Sequence, residues 1–246
     1  QARAWDAFVE ALRRGEVTDP RRLGDVEALA LGRTKTSRVL AALGRPETPE
    51  SAHALLLALD VWDETRNPYP ARHGADTRPV DLPLPEAAAL TDAAGRLNLT
   101  HLTALAIDDE GSSDPDDALS IERTGEGHRL WVHVSDVAAL VPHGSDLDAE
   151  ARRRGATLYL PELTAPMLPP AATGLLGLGL TDVSPALSVA VDLDGDLEPT
   201  GHVEIHPTLV RVTRLTYGEA QDRLTGDPVL VELTRFARAA RARREA

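Results

Sequence analysis

The chain has 246 residues, a formal net charge of −13 and no cysteine. That length can bury a full core as one large domain or two small ones. The absent cysteine excludes a disulfide framework and any thiolate metal site, and fits a reducing, cytoplasmic setting. No run of about 18 apolar residues exists to span a membrane, no secretory-leader pattern opens the sequence, and Gln1 in place of Met implies that the native start lies elsewhere. An acidic sum argues against a polyanionic partner only when charge is evenly spread. Here acids crowd positions 108–117 and 192–198, and arginines crowd 152–154 and 235–244. A site that gathers metal ions must be acidic even when its substrate is a polyanion, because the metals reverse the local sign.

Residues 1–64 have the pattern of a helical domain. Ala4, Phe8 and Leu12, then the runs Val26–Leu31 and Val39–Leu43, recur at three- to four-residue spacing, with Pro20, Gly44 and Pro46 as breaks. Two readings stay open. Thr34–Arg38 ahead of an apolar helix resembles a helix-turn-helix or winged-helix module whose polar segment contacts phosphates. A plain bundle with a polar turn has the same pattern. Residues 65–98 hold Asn67-Pro68, Pro70, Pro79, Pro83 and Pro85, and are expected to form a linker with one short helix near Glu86–Ala94.

From residue 99 the period changes. Short β-type runs occur at 102–108, 118–123, 129–135, 186–193, 202–206 and 208–215, and helical segments follow Ser145, Tyr217 and Asp227. Hairpins mixed with helices predict an α+β domain over 99–246. Between the first two strands lies Ile107-Asp-Asp-Glu-Gly-Ser-Ser-Asp-Pro-Asp-Asp-Ala-Leu119. Its Gly/Ser/Pro turn carries Asp114, Asp116 and Asp117 back toward Asp108 at the strand end. Like charges about 4 Å apart cost several kcal/mol in a partly desolvated site, and a bound divalent cation is the simplest relief. Oxygen-only donors favour Mg²⁺, with Mn²⁺ as the alternative, over Zn²⁺. A calcium EF-hand fails: counted from Asp114, position 5 is Ala118 and position 12 is Gly125. Asp192-Leu-Asp-Gly-Asp196 lies between two apolar alternating runs and is predicted to be a hairpin turn. His133 alternates with Val132 and Val134, has no second His at ligand spacing, and is expected to be structural.

The pattern I-D-x₅-D-x-D-D-A-L at Ile107–Leu119 resembles the signature of the catalytic domain shared by ribonuclease II and ribonuclease R, the RNB family. The similarity continues in order. Trp131–Val137 is similar to the family's "VHIADV" strand, Gly144–Ala151 to its "GS-LD-EA" helix start, and Arg154–Pro161 with Pro166–Pro169 to "RGTSVYLP…PMLP". Ala186–Val189 and Leu215–Tyr217 match two later landmarks. The resemblance runs from about residue 98 to 224.

This resemblance implies a Mg²⁺-dependent 3′→5′ exoribonuclease that degrades single-stranded RNA processively to nucleoside 5′-monophosphates. Asp108, Asp114, Asp116 and Asp117 would be the catalytic and metal-holding residues, with Asp108 and Asp117 as direct ligands. Tyr159 stands in an apolar run, where a lone tyrosine is usually core; its place in the "YLP" block implies instead an RNA-binding residue that stacks near the 3′-terminal nucleotides. The chain departs from the family twice. A helical start replaces the usual cold-shock barrels, and the later catalytic arginine and C-terminal barrel have no counterpart here, so the catalytic domain is expected to be truncated. Two alternatives remain: a non-catalytic nucleic-acid binder with an incomplete nuclease domain, and a metal-dependent phosphohydrolase acting on small nucleotides.

Overall fold

The structure, a computed structural model, describes residues 2–85, 94–125 and 127–245; the helix expected near 86–94 falls almost wholly outside them. The chain divides into two compact units, one holding residues up to 79 together with 154–167, the other 80–153 and 168–246.

The first unit is helical: α1 (Ala2–Arg13), a 3₁₀ turn (Pro20–Leu23), α2 (Gly24–Ala30), α3 (Arg38–Ala42), α4 (Pro49–Ala58) and α5 (Tyr69–Arg72). Its core joins Phe8, Leu12, Leu23, Val26, Leu29, Leu40, Leu56 and Trp62, the apolar positions whose spacing predicted the helices. Pro20 starts the 3₁₀ turn instead of breaking one, because a first-turn proline forfeits only an N–H with no partner there; Asp19 caps it by accepting the Arg21 N–H at 3.2 Å. Ser37 caps α3, accepting the Leu40 N–H at 3.2 Å while its own hydroxyl donates to Asp25 at 3.0 Å. The helical unit does not stop at residue 64. Arg72, its side chain 9% exposed, donates to the carbonyls of Ala30 at 2.7 Å and Pro49 at 2.9 Å, pinning α5 to the ends of α2 and α4. Gly32, at φ 71°, makes room for it, since a Cβ there would lie 3.3 Å from the Arg72 Cα. Half of the expected linker therefore belongs to this unit. So does the small hairpin β5 (Leu158–Tyr159) and β6 (Thr164–Ala165), held by the Arg154 guanidinium on the carbonyls of Arg78 and Pro166 at 2.8 and 3.3 Å.

The second unit is α+β, as expected. Strands β1 (Leu97–Asn98), β2 (Ala104–Asp108), β3 (Asp117–Thr124), β4 (Gly127–Ser135), β7 (Ser184–Leu193), β8 (Pro199–Val210) and β9 (Val212–Thr216) form a sheet in the order β1-β8-β7-β4-β3-β2-β9. Neighbours are antiparallel except at the edges, where β1 pairs with β8 and β2 with β9 in parallel. One face presents small residues, Ala104, Ala106, Ala118, Ala186 and Ala190, around Trp131 and the fully buried Leu178. The other packs Leu105, Leu130, Leu193 and Leu215 against α9 (Tyr217–Arg223) and α10 (Pro228–Glu245). Helices α6 (Val137–Leu140), α7 (Asp146–Arg154) and α8 (Pro170–Leu176) gather a third cluster around Leu140, Leu147 and Leu176. The 192–196 segment is the predicted turn, with Asp194 accepting the N–H groups of Asp196 and Glu198, each at 2.9 Å.

A buried polar line crosses the sheet. Ser120, His133, Ser188 and Thr208 are each at most 1% exposed. Thr208 Oγ1 donates to the Ala186 carbonyl at 3.2 Å, so its oxygen accepts the Ser188 hydroxyl at 2.6 Å. Ser188 then accepts His133 Nδ1–H at 2.7 Å, and His133 Nε2 accepts Ser120 at 2.9 Å. Burial pushes the imidazole down to about 4, so it is neutral. His133 is structural, as its lone position in the strand predicted.

Candidate active site

The acids lie at the end of β2, in the loop after it and at the start of β3. Asp108 is the last residue of β2 and Asp117 the first of β3. The two strands pair with Leu105 opposite Leu119, a register that, counted along both, sets Asp108 level with Asp116. Bonds directed at its backbone carbonyls hold the loop. Arg214 on β9 donates through Nη2 to the Ser112 carbonyl at 2.6 Å. The Leu178 N–H donates to the Pro115 carbonyl at 2.9 Å, and the Ser135 N–H to the Asp116 carbonyl at 2.8 Å. Gly111, at φ 84°, lets the chain reverse where a side chain would be strained.

Asp108 and Asp116 each come within electrostatic reach of one another and of Asp114 and Asp117. Asp108 is pushed above the usual carboxylate range by desolvation and then by Asp117, with Arg214 opposing and Asp114 adding to the rise. Asp116 is raised by desolvation, then by Asp114, Asp117 and Asp108, although the residue keeps one side open to solvent. Neither Asp108 nor Asp116 is ion-paired with any described residue. The quartet is gathered but open: among the described residues no three acids or histidines stand close enough to hold a metal ion. Strand alternation contributes to this, since Asp108 continues the face of Ala104 and Ala106 whereas Asp117 continues that of Leu119 and Ile121. The donor set, oxygen-only and self-repelling, fits a hard divalent cation such as Mg²⁺ or Mn²⁺.

Tyr159 belongs to the other compact unit, on β5, and is 67% exposed, so it is not a core residue. Sequence reasoning missed Arg214. Its place in a β-type run, directly before the Leu215–Tyr217 landmark, was visible; its parallel pairing, opposite Ala106 across more than a hundred residues, was not.

A family model described as RNB domain matches residues 96–246, and one described as a double HTH domain matches residues 1–68. The second match settles the open reading of the N-terminal helices in favour of helix-turn-helix. The chain is 35% identical over 218 residues to an uncharacterized ribonuclease of Synechocystis sp., covering 83% of this chain and 32% of that protein. It is 31% identical over 227 residues to the chloroplastic/mitochondrial ribonuclease II of Arabidopsis thaliana, covering 82% and 27%. Among solved structures it is similar to yeast Ssd1, a pseudonuclease, with TM-score 0.56 and 26% identity over 63% of this chain and 20% of that one. The chain thus spans under a third of the length of each.

Proposed function

The chain belongs to the RNB family, and from that premise we propose that it is the helix-turn-helix and leading catalytic portion of a 3′→5′ exoribonuclease acting processively on single-stranded RNA. The observation that carries this reading is the meeting of Asp108, Asp114, Asp116 and Asp117 where β2 ends and β3 begins, inside the RNB match, with Asp108 and Asp116 both held above the ordinary carboxylate range. Asp108 and Asp117 would be direct ligands of Mg²⁺ or Mn²⁺, and Asp114 and Asp116 would complete the set. A divalent ion bound there would supply Lewis acidity and charge neutralisation for hydrolysis of the terminal phosphodiester to a nucleoside 5′-monophosphate. The chain's own part is positional. The Arg214, Leu178 and Ser135 donors hold the loop backbone that carries Asp114 and Asp116. Exposed Tyr159 suits stacking on a base near the RNA 3′ end.

Incubating the protein with 3′-labelled and 5′-labelled RNA, with Mg²⁺ and with chelator, tests the reading. Mononucleotide release from the 3′ end, lost with chelator, is the expected result. The likeness to a pseudonuclease favours one second reading, a non-catalytic RNA binder. RNA bound but left intact in Mg²⁺ and in Mn²⁺ would decide for it.

A further inference from the structure

The helical unit carries a cleft of about 780 Å³, open to solvent, lined by Trp5 of α1, Arg21 and Arg22 of the 3₁₀ turn, Asp25 of α2 and Arg38 of α3. Three arginines line it, in a chain whose charge sums to −13. The Asp25 carboxylate in the lining forms no ion pair with them. Asp25 Oδ2 is taken up by the Ser37 hydroxyl at 3.0 Å and the Val39 N–H at 3.3 Å, holding the start of α3. Arg22 is already engaged, pairing with Asp19 at 3.4 Å, donating to the Ala4 carbonyl at 3.0 Å and lying over the Phe8 ring at 5.4 Å, while Arg21 and Arg38 form no ion pair with any described residue. Arg38 instead lies over the Trp5 ring, its guanidinium carbon 4.1 Å from the centroid, and Phe8 tilts against the same indole at 5.9 Å.

A guanidinium seated on an indole is a preformed platform. Its plane is fixed, so little side-chain entropy remains to be lost when a second planar group stacks on its outer side, and its edge N–H groups stay free for phosphate oxygens. Unpaired bases stack on such planes without regard to sequence. A duplex would fit poorly. The helix in the recognition position, Arg38–Ala42, is five residues long, buries Val39 and Leu40, and offers only Arg38 as a polar side chain to read base edges.

We infer that this cleft is a subsite for single-stranded RNA, in which Arg38 on Trp5 stacks one unpaired base and exposed Arg21 meets a flanking phosphate. The inference rests on the proposed RNA substrate and adds where the helical unit grips it.

The chain's tryptophans make the test direct. Trp62 and Trp131 are each 3% exposed, whereas Trp5 is only half-buried, so Trp5 is the indole an added ligand can reach. The Asp116→Asn chain, used so that RNA is not consumed, is titrated with a short oligouridylate while tryptophan emission is followed. Quenching is expected. Arg38→Ala should abolish it and weaken binding about tenfold, the size of one stacking contact. Arg38→Lys should not rescue, because charge without a plane cannot stack. Arg21→Glu, at an exposed side chain whose change leaves the helices intact, should lower the salt dependence of binding by about one phosphate contact. Unchanged affinity in both Arg38→Ala and Arg21→Glu, or tighter binding of duplex DNA than of oligouridylate, would overturn the inference. Failure of the enzymatic reading looks different: wild-type chain that quenches with RNA but never shortens it keeps the cleft and loses the nuclease. Hydrolysis without quenching does the reverse.

Discussion

In the sheet, Asp192 on β7 and Glu204 on β8 share the Arg129 guanidinium at 2.6 and 3.2 Å, whereas Asp108 and Asp116 at the β2 end have no ion-pair partner among the described residues. Hydrogen bonds set the first pair below the usual carboxylate range, from Arg129 to Asp192 and from His206 and His202 to Glu204. Burial and mutual repulsion set the second pair above it. Asp192 and Asp116 look alike in sequence, since Asp192-Leu193-Asp194 and Asp114-Pro115-Asp116 are both Asp-x-Asp runs beside a β-type segment. The difference is a paired cation: Arg129 forms ion pairs with both acids of the first group, and no described cation forms one with Asp108 or Asp116. A cluster that carries its own counter-charge is complete and serves the sheet; one that lacks it is held together at a cost that a cation from outside relieves.

The largest test of this contrast is Asp116→Asn. Hydrolysis should fall about 10²–10³-fold, the loss typical when one transition-state stabilising group is removed. Stability should move the other way. A carboxyl raised in the fold contributes stability fully below its unfolded value and loses it as pH rises through the folded value, so at neutral pH without metal its charge is a liability. Asn removes that charge, and the chelator-treated variant should melt no lower than wild type. A lower melting temperature with hydrolysis intact would break the comparison, because Asp116 would then behave like Asp192.

His133 sharpens it with a group that is complete and neutral. Its pKa is pushed down to about 4 from 6.5 by burial. The unfolded chain therefore takes up a proton that the fold refuses, and stability present above pH 6.5 is lost as pH falls toward 4, by up to about 3 kcal/mol. Denaturant melts at neutral and mildly acidic pH, for wild type and His133→Gln, should show a smaller acid loss in the variant. Equal losses would mean that other groups carry the pH dependence.

Arg129→Gln comes next in size. It leaves Asp192 and Glu204 without their charged donor and should cost about 1–3 kcal/mol in chemical denaturation, with RNA hydrolysis unchanged. A variant as stable as wild type but catalytically impaired would place the functional acids on β7 and β8 instead.

Much of this was legible in the sequence because the decisive signals were local. The strands on either side of the acidic loop, the turn at 192–196, the start of α7 at Ser145 and the α9 cap at Thr216 each depend on neighbours within a few residues. What stayed hidden depends on partners far away. Arg152, Arg153 and Arg154 look like a basic patch, yet they pair with Asp148, Glu150 and Asp76, and Arg154 is 5% exposed. Ser37, within the segment expected to touch phosphate, is 1% exposed and occupied in capping. The edge pairing of β2 with β9 and the return of 154–167 to the helical unit join residues separated by about a hundred positions, and no periodicity reports such contacts.

Arg214 stands between the two kinds of cluster, and its variant is expected to give the smallest effect. Among the described residues it is the cation that opposes the rise of Asp108, yet its guanidinium is spent on the Ser112 carbonyl at 2.6 Å. A hydrogen bond to a charged donor at an exposed site is worth about 1 kcal/mol or less once water competes for it. Global stability in Arg214→Gln should therefore change little. The consequence is local: residues 109–114 lose the bond that ties mid-loop to β9 while the anchors at Pro115 and Asp116 remain. Amide exchange in the metal-free protein should accelerate across 109–114 and stay unchanged across β3. If Arg214 were instead a true counter-ion, equivalent to Arg129, the variant would behave differently: exchange would rise along β2 as well, and the melting temperature would fall by the several degrees expected for Arg129→Gln. The tether reading predicts a loosened loop on an intact strand, and only that pattern keeps the acidic quartet distinct from a cluster that supplies its own charge.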